Sequence, residues 1–248
     1  MFNTWKKGEV TCNILSSIAG LTSKILIQNN KDIILLDIGD GIIVDLYELE
    51  VDIHKIKVIM ISHGHYDHMG GLFSFLGYVR MLGREKNLTI VYPKGSKEIK
   101  YIIKSFKDCY VNEIPFKIDE IEVSLSKIEN ISLDDWKITS FPMIHYGSTK
   151  KYGTGYKIPA VGYKLSINHI IISYSGDTGP NINLNRLFDE SVDLAICEAT
   201  YPDENWISDK KIRYHLTKKE AEIFTKNCNE KILIHSLPDK IFNKKVEN

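Results

Sequence analysis

The stretch HGHYDH, His63 to His68, places three histidines and an aspartate within six residues, directly after the apolar run KVIMIS. Imidazoles this crowded lose solvation and repel one another once protonated, so the segment makes physical sense when a bound cation offsets that cost. In an extended stretch alternate side chains share a face. His63 and His65 can therefore grip one cation together, while Asp67 and His68, on the turn that follows, point elsewhere. One tetrahedral site cannot use all four ligands and stay open.

Three more residues suit the same chemistry. His145, Asp177 and His235 each follow an apolar β run and precede a polar or glycine-containing turn, where α/β sheets collect functional groups. Taken singly, each reads as an incidental strand-end or turn residue. With HxHxDH they complete a set of seven N and O donors, enough for two divalent ions that share the Asp177 carboxylate and keep room for water. The donor set favours zinc, and because no thiolate joins it, manganese and iron are the alternatives. His54 and His169 lack such neighbours and read as surface or turn residues.

These residues need strand ends to hold them. KVIMIS is short, apolar and branched, as a strand covered on both faces must be. SKILIQNN and DIILLDIG read as a hairpin joined at Asn29-Asn30, since Asn tolerates positive φ. Helical patterns are predicted at Ile42–Leu49, in LFSFLGYVRML, from Ser96 (as N-cap) to Phe106, and from Thr217 to Cys228, where Thr217 and Glu220 form a capping box. WKITSFPMIHYG, AVGYKLS, HIIISYSGDTG, DLAICEAT and KILIHS read as further strands. The elements alternate without a low-complexity linker or repeat, which predicts one α/β domain over residues 1–248.

Composition sets the outer bounds. The chain is 43% hydrophobic and 26% charged, with zero formal net charge, which suits a globular protein and argues against duplex DNA as a partner. Four scattered cysteines form no CxxC pair, no stretch approaches the 18 apolar residues of a membrane span, and no apolar signal region opens the chain. A cytoplasmic protein with no membrane partner is expected.

HGHYDH followed in order by His145, Asp177 and His235 resembles the metallo-β-lactamase superfamily over nearly the whole chain. The resemblance implies an αββα sandwich of two mixed β-sheets flanked by helices, with metals at one edge and Asp37 of LLDIGDG supporting the histidine loop. His65 stands where flavo-diiron proteins carry glutamate, which disfavours oxygen reduction. CEAT (Cys197 to Thr200) and RYHLTKKEA (Arg213 to Ala221) resemble the ribonuclease Z branch, in which a histidine assisted by a glutamate acts beside the metals. His215 and Glu198 inherit those roles. The implied mechanism is phosphodiester hydrolysis by a hydroxide bridging two metals, with Asp67 orienting it and His215 protonating the departing oxygen or holding a phosphate oxygen. Glu198 would raise the pKa of His215 and fix its orientation.

Two departures bear on the substrate. Ribonuclease Z enzymes usually carry a long basic arm, whereas YGSTKKYGTGYKIPAVGY is short, and HSLPDKIFN lacks the branch's usual aromatic and arginine pattern. A cyclic nucleotide or other small phosphodiester is therefore expected. The alternatives are a tRNA 3′-end endonuclease acting on an RNA 3′ end, a carboxylic ester, lactone or thioester hydrolase, and a metal-binding protein without catalysis. Lys150, Lys151, Tyr152, Tyr156 and Lys157 read either as a lid over a small nucleotide or as a solvated turn region set by Gly153 and Gly155. Lys210, Lys211, Arg213, Lys218 and Lys219 read either as a phosphate attractor or as a hydrated helix start. By resemblance, a homodimer is expected.

Overall fold

Branched apolar runs build the strands of the computed structural model, which describes residues 3–149, 153–207 and 213–238. The chain divides into two units, Met1–Ser17 with Leu21–Glu122 and Ile18–Gly20 with Val123–Asn248. The first unit is organised on a seven-stranded sheet in simple sequence order. Its strands are β1 (Asn3–Lys7), β2 (Val10–Ile18), β3 (Thr22–Gln28), β4 (Ile33–Ile38), β5 (Ile56–Met60), β6 (Leu88–Pro93) and β7 (Ile118–Val123). Helices α1 (Ile42–Glu48), α2 (Tyr66–Met69), α3 (Leu72–Met81) and α4 (Lys97–Cys109) accompany them.

The spacing of apolar residues explains the helix packing. Leu72, Phe75, Leu76 and Val79 of α3, and Ile99, Ile103 and Phe106 of α4, recur at three- and four-residue intervals and form one core with Leu26, Leu35, Ile59 and Ile90 of the sheet. β4 and β6 both pair with β5 in parallel. Parallel pairing puts the C-terminal ends of β4 and β5 at the same sheet edge, so Asp37 lies beside the chain that leaves β5 as HGHYDH.

The second unit holds a six-stranded sheet, ordered β15-β14-β13-β12-β9-β8, and a separate β10-β11 hairpin. The strands are β8 (Glu129–Leu133), β9 (Trp136–Pro142), β10 (His145–Thr149), β11 (Gly153–Ile158), β12 (Val161–Ile167), β13 (Ile170–Tyr174), β14 (Leu194–Glu198) and β15 (Glu230–Ile234), with helices α5 (Asn183–Leu187) and α6 (Lys218–Phe224). Phe141, Leu184, Leu187, Ala195, Cys197, Leu216 and Ala221 meet in its core. β14 pairs in parallel with both β13 and β15, so Asp177, Glu198 and His235 all emerge at one edge.

Several local expectations change. The Asn29-Asn30 turn does not use positive φ; instead the Asn29 side-chain oxygen accepts the backbone N–H groups of Lys31 and Asp32, an Asx turn that removes the need for it. Ser96 has the extended backbone of an N-cap, but its side chain makes no capping bond. The strand through WKITSFPMIHYG is two strands, and His145 opens β10 rather than closing β9. Of the residues read as a lid, Tyr156 and Lys157 lie on β11, where Tyr156 is 76% exposed, and Lys150, Lys151 and Tyr152 fall outside the described residues. Lys210 and Lys211 do so as well.

Candidate active site

In the first unit the organising group is Asp37, at the end of β4 with a left-handed φ of 56° and no solvent exposure. Burying a carboxylate is unfavourable unless donors surround it. One oxygen, Oδ1, accepts the Ser62 backbone N–H at 2.6 Å; the other, Oδ2, accepts the Ser62 hydroxyl at 2.8 Å and the Nδ1–H of His68 at 2.6 Å. The Ser62 hydroxyl also lies 3.0 Å from Nδ1 of His63. Lys24, itself buried, donates to the Asp40 carbonyl at 2.9 Å and pairs with Asp45, which pins the turn after Asp37.

The histidines themselves converge. Nε2 of His63 and Nδ1 of His65 are 3.0 Å apart, and Nε2 of His68 lies 3.8 Å from Oδ2 of Asp67. His65 caps α2, its carbonyl accepting from the N–H of His68 and Met69, so the short helix swings Asp67 and His68 back toward His63. The rings of His63 and His68 are 4.1 Å apart. Close packing beneath them depends on Gly39, where a Cβ would lie 2.4 Å from the Asp67 carbonyl.

Glu198 organises the second unit. It ends β14, is fully buried, and accepts from five groups. Its Oε1 takes the Thr178 N–H at 2.8 Å and Nδ1–H of His215 at 3.0 Å; its Oε2 takes the N–H groups of Thr200 and Leu216, each at 3.2 Å, and the Thr200 hydroxyl at 2.7 Å. One carboxylate thus ties together the turn bearing Asp177, the segment bearing His215, and Thr200. Thr200 in turn sits 2.8 Å from Nδ1 of His235.

Asp177 Oδ2 lies 3.4 Å from Nε2 of His235, 3.8 Å from Nε2 of His145 and 4.0 Å from Nδ1 of His215. His145 donates Nδ1–H to the Tyr214 carbonyl at 2.9 Å, since a carbonyl can only accept. Its Nε2 is left as a lone pair. His235 holds a left-handed φ of 61°, which turns it off the end of β15.

His215 is fixed from several sides. Its segment bonds to Tyr201 through the Leu216 carbonyl and the Lys218 N–H, and both halves of the Thr217–Glu220 capping box are present. Arg213 donates to Glu220 at 2.6 Å, so this arginine is engaged at the helix start. Tyr201 and Tyr214 each stand 5.6 Å from the His215 ring. Burial and then the neighbouring Tyr214 push the Tyr201 hydroxyl pKa well above the ordinary tyrosine value, which leaves Tyr201 as a neutral wall.

Gly179 gives a direct test of this placement. A Cβ there would sit 1.9 Å from the Arg213 carbonyl, so Gly179→Ala must push the segment that carries His215. We expect turnover to fall about 10²-fold and stability by about 1–3 kcal/mol, checked by steady-state kinetics and thermal melting. Unchanged kinetics would show that the segment's position does not matter.

The donor sets fit a divalent cation. Ligand atoms about 2.0–2.1 Å from a tetrahedral ion are about 3.3 Å apart, close to the 3.4 Å between His235 and Asp177 and the 3.0 Å between His63 and His65. Histidines that ligate metals characteristically donate the other ring N–H to a carboxylate or carbonyl, as His68 and His145 do here. All the residues read from the sequence fall into these two clusters: His63, His65, Asp67 and His68 in the first unit; His145, Asp177, Glu198, His215 and His235 in the second. Sequence reasoning missed Ser62, Thr200, Tyr201 and Tyr214. The Thr of CEAT was a signal for one of them.

This fold and these histidine–aspartate clusters are those of a metal-dependent hydrolase of the metallo-β-lactamase superfamily, in its ribonuclease Z-like branch. The family model described as Anti-Pycsar protein Apyc1 matches residues 16–245, and the chain belongs to that family. It is 26% identical over 200 residues to ribonuclease Z of Saccharolobus solfataricus, covering 69% of this chain and 67% of that one. Human tRNase Z, short form, superposes with a TM-score of 0.75 at 20% identity, covering 92% of this chain and 93% of that one. The metallo-β-lactamase fold protein YhfI of Bacillus subtilis gives 0.70 at 18% identity, covering 92% and 86%.

Proposed function

We propose that this protein hydrolyses a cyclic nucleotide or another small phosphodiester, using two divalent ions, zinc foremost. In this reading His63, His65, Asp67, His68, His145, Asp177 and His235 would hold them. When bound, such ions make water nucleophilic near neutral pH and draw charge from phosphoryl oxygens. The observation that carries the reading is the Glu198–His215 pair, 3.0 Å apart, in the unit that also presents Asp177.

The rest is the work of the chain's own side chains. Asp67 orients the attacking water. Glu198 holds Nδ1–H of His215, so the proton for the departing oxygen is delivered from Nε2. Tyr201 and Tyr214 restrict the ring's rotation. For a small substrate rather than RNA, the support is the short β10-β11 excursion, which runs only from His145 to Ile158. The four cysteines are free thiols, in keeping with a cytoplasmic protein, and no helix among the described residues is long and apolar enough to cross a membrane. A homodimer belongs to the same reading by family resemblance.

The test is turnover by zinc-loaded protein on cyclic mononucleotides, bis-p-nitrophenyl phosphate, a tRNA precursor and an aryl acetate. We expect turnover of the first two, with rates nearly independent of salt between about 50 and 200 mM, whereas binding through six to ten phosphates would weaken about 10³-fold or more over that range. Cleavage of the tRNA precursor alone would favour an endonuclease like the ribonuclease Z relatives. Cleavage of the acetate alone would overturn the phosphodiester reading.

A further inference from the structure

We propose that Ser62 and Thr200 are positioning residues: each hydroxyl gives its proton to a buried carboxylate and accepts most closely from one histidine, His63 or His235, with a longer contact to the imidazole that the carboxylate holds directly, His68 or His215, and so fixes which ring nitrogen of the nearer histidine is offered to metal. The inference rests on the ligand reading above and extends it to two residues outside that set. It follows from counting donors and acceptors. A hydroxyl has one proton to give. The Thr200 proton goes to Oε2 of Glu198 at 2.7 Å, because an ionised carboxylate can only accept. The Thr200 oxygen is left as an acceptor, so the 2.8 Å contact to His235 requires a proton on Nδ1 of that ring. Nε2 of His235 then carries the lone pair, and it is the atom 3.4 Å from Asp177.

The first unit repeats the arrangement with different residues. Ser62 gives its proton to Oδ2 of Asp37 at 2.8 Å and accepts from Nδ1 of His63 at 3.0 Å, which puts the lone pair of His63 on Nε2, 3.0 Å from Nδ1 of His65. Each carboxylate also takes a second imidazole directly, His68 on Asp37 and His215 on Glu198. Both hydroxyl residues are buried, so water does not substitute for them. Groups that orient ligands in this way typically change metal affinity 10- to 100-fold when removed.

Zinc affinity, measured by chelator competition on the full chain, should fall about 10- to 100-fold in Thr200→Val and in Ser62→Ala, and recover to within about threefold in Thr200→Ser, which keeps the hydroxyl. A role in packing alone would spare Thr200→Val, whose shape matches. Independently of whether any variant folds, nitrogen-detected NMR of metal-free wild-type protein should show His63 and His235 as Nδ1–H tautomers. Nε2–H tautomers overturn the inference, as do variants that bind zinc as tightly as a zinc-binding wild type. A wild type that takes up no zinc defeats the functional reading itself, and this one with it.

Discussion

Replacing His215 with alanine is expected to cut turnover about 10²- to 10⁴-fold while leaving the metal bound per chain unchanged. The geometry separates this residue from the ligands. Its Nδ1 is within 4.0 Å of Asp177, and Asp177, His215 and His235 together could hold an ion. Yet the same nitrogen lies 3.0 Å from Oε1 of Glu198, to which it donates. A nitrogen carrying a proton for a carboxylate has no lone pair for a cation. Only Nε2 remains for chemistry, and a proton delivered there suits an oxygen leaving with negative charge. Steady-state kinetics paired with metal analysis decides the matter. Loss of metal along with turnover would make His215 a ligand and remove the proton-donor assignment.

Glu198→Gln should be the more damaging change to the protein as a whole. Of its five accepted bonds, two end on Oε1 and three on Oε2. An amide places an NH₂ on one side or the other, so at least two donors must face another donor in a buried site. Breaking a buried charged network in this way costs about 3–5 kcal/mol. For a chain of this size that corresponds to roughly a 6–20 °C fall in Tm. Turnover should fall at least as far as in His215→Ala, because the Asp177 turn, the His215 segment and Thr200 all lose their common anchor. A variant with native melting and full activity would show that the network is dispensable.

The donors were legible in the sequence for a physical reason. HxHxDH cannot be explained cheaply without a cation, and branched apolar runs announce the strands that Asp177 and His235 follow, whereas His145 opens a strand instead of closing one. What lay hidden was the support. Ser62 meets Asp37 from 25 positions away, and nothing in its own neighbourhood signals the pairing. Tyr214 holds His145 through a main-chain carbonyl, a group every residue possesses. The glycine-rich stretch after His145 reads as a loop because glycine disfavours strands, whereas pairing across β10 and β11 overrides that preference. Asn29 shows the opposite error: the turn was right and its geometry was not, since a side-chain oxygen did what backbone handedness was expected to do.

The hydrogen bonds behind the imidazoles have a consequence for cofactor choice. His68 and His145 take their ring orientation from Asp37 and the Tyr214 carbonyl, so the chain itself aims their lone pairs, whichever cation arrives. Nitrogen and oxygen donor sets without a thiolate accept more than one first-row cation, and raw affinity alone follows their intrinsic ranking. Supply in the cell would then weigh, beside intrinsic affinity, on which cation each donor set takes up.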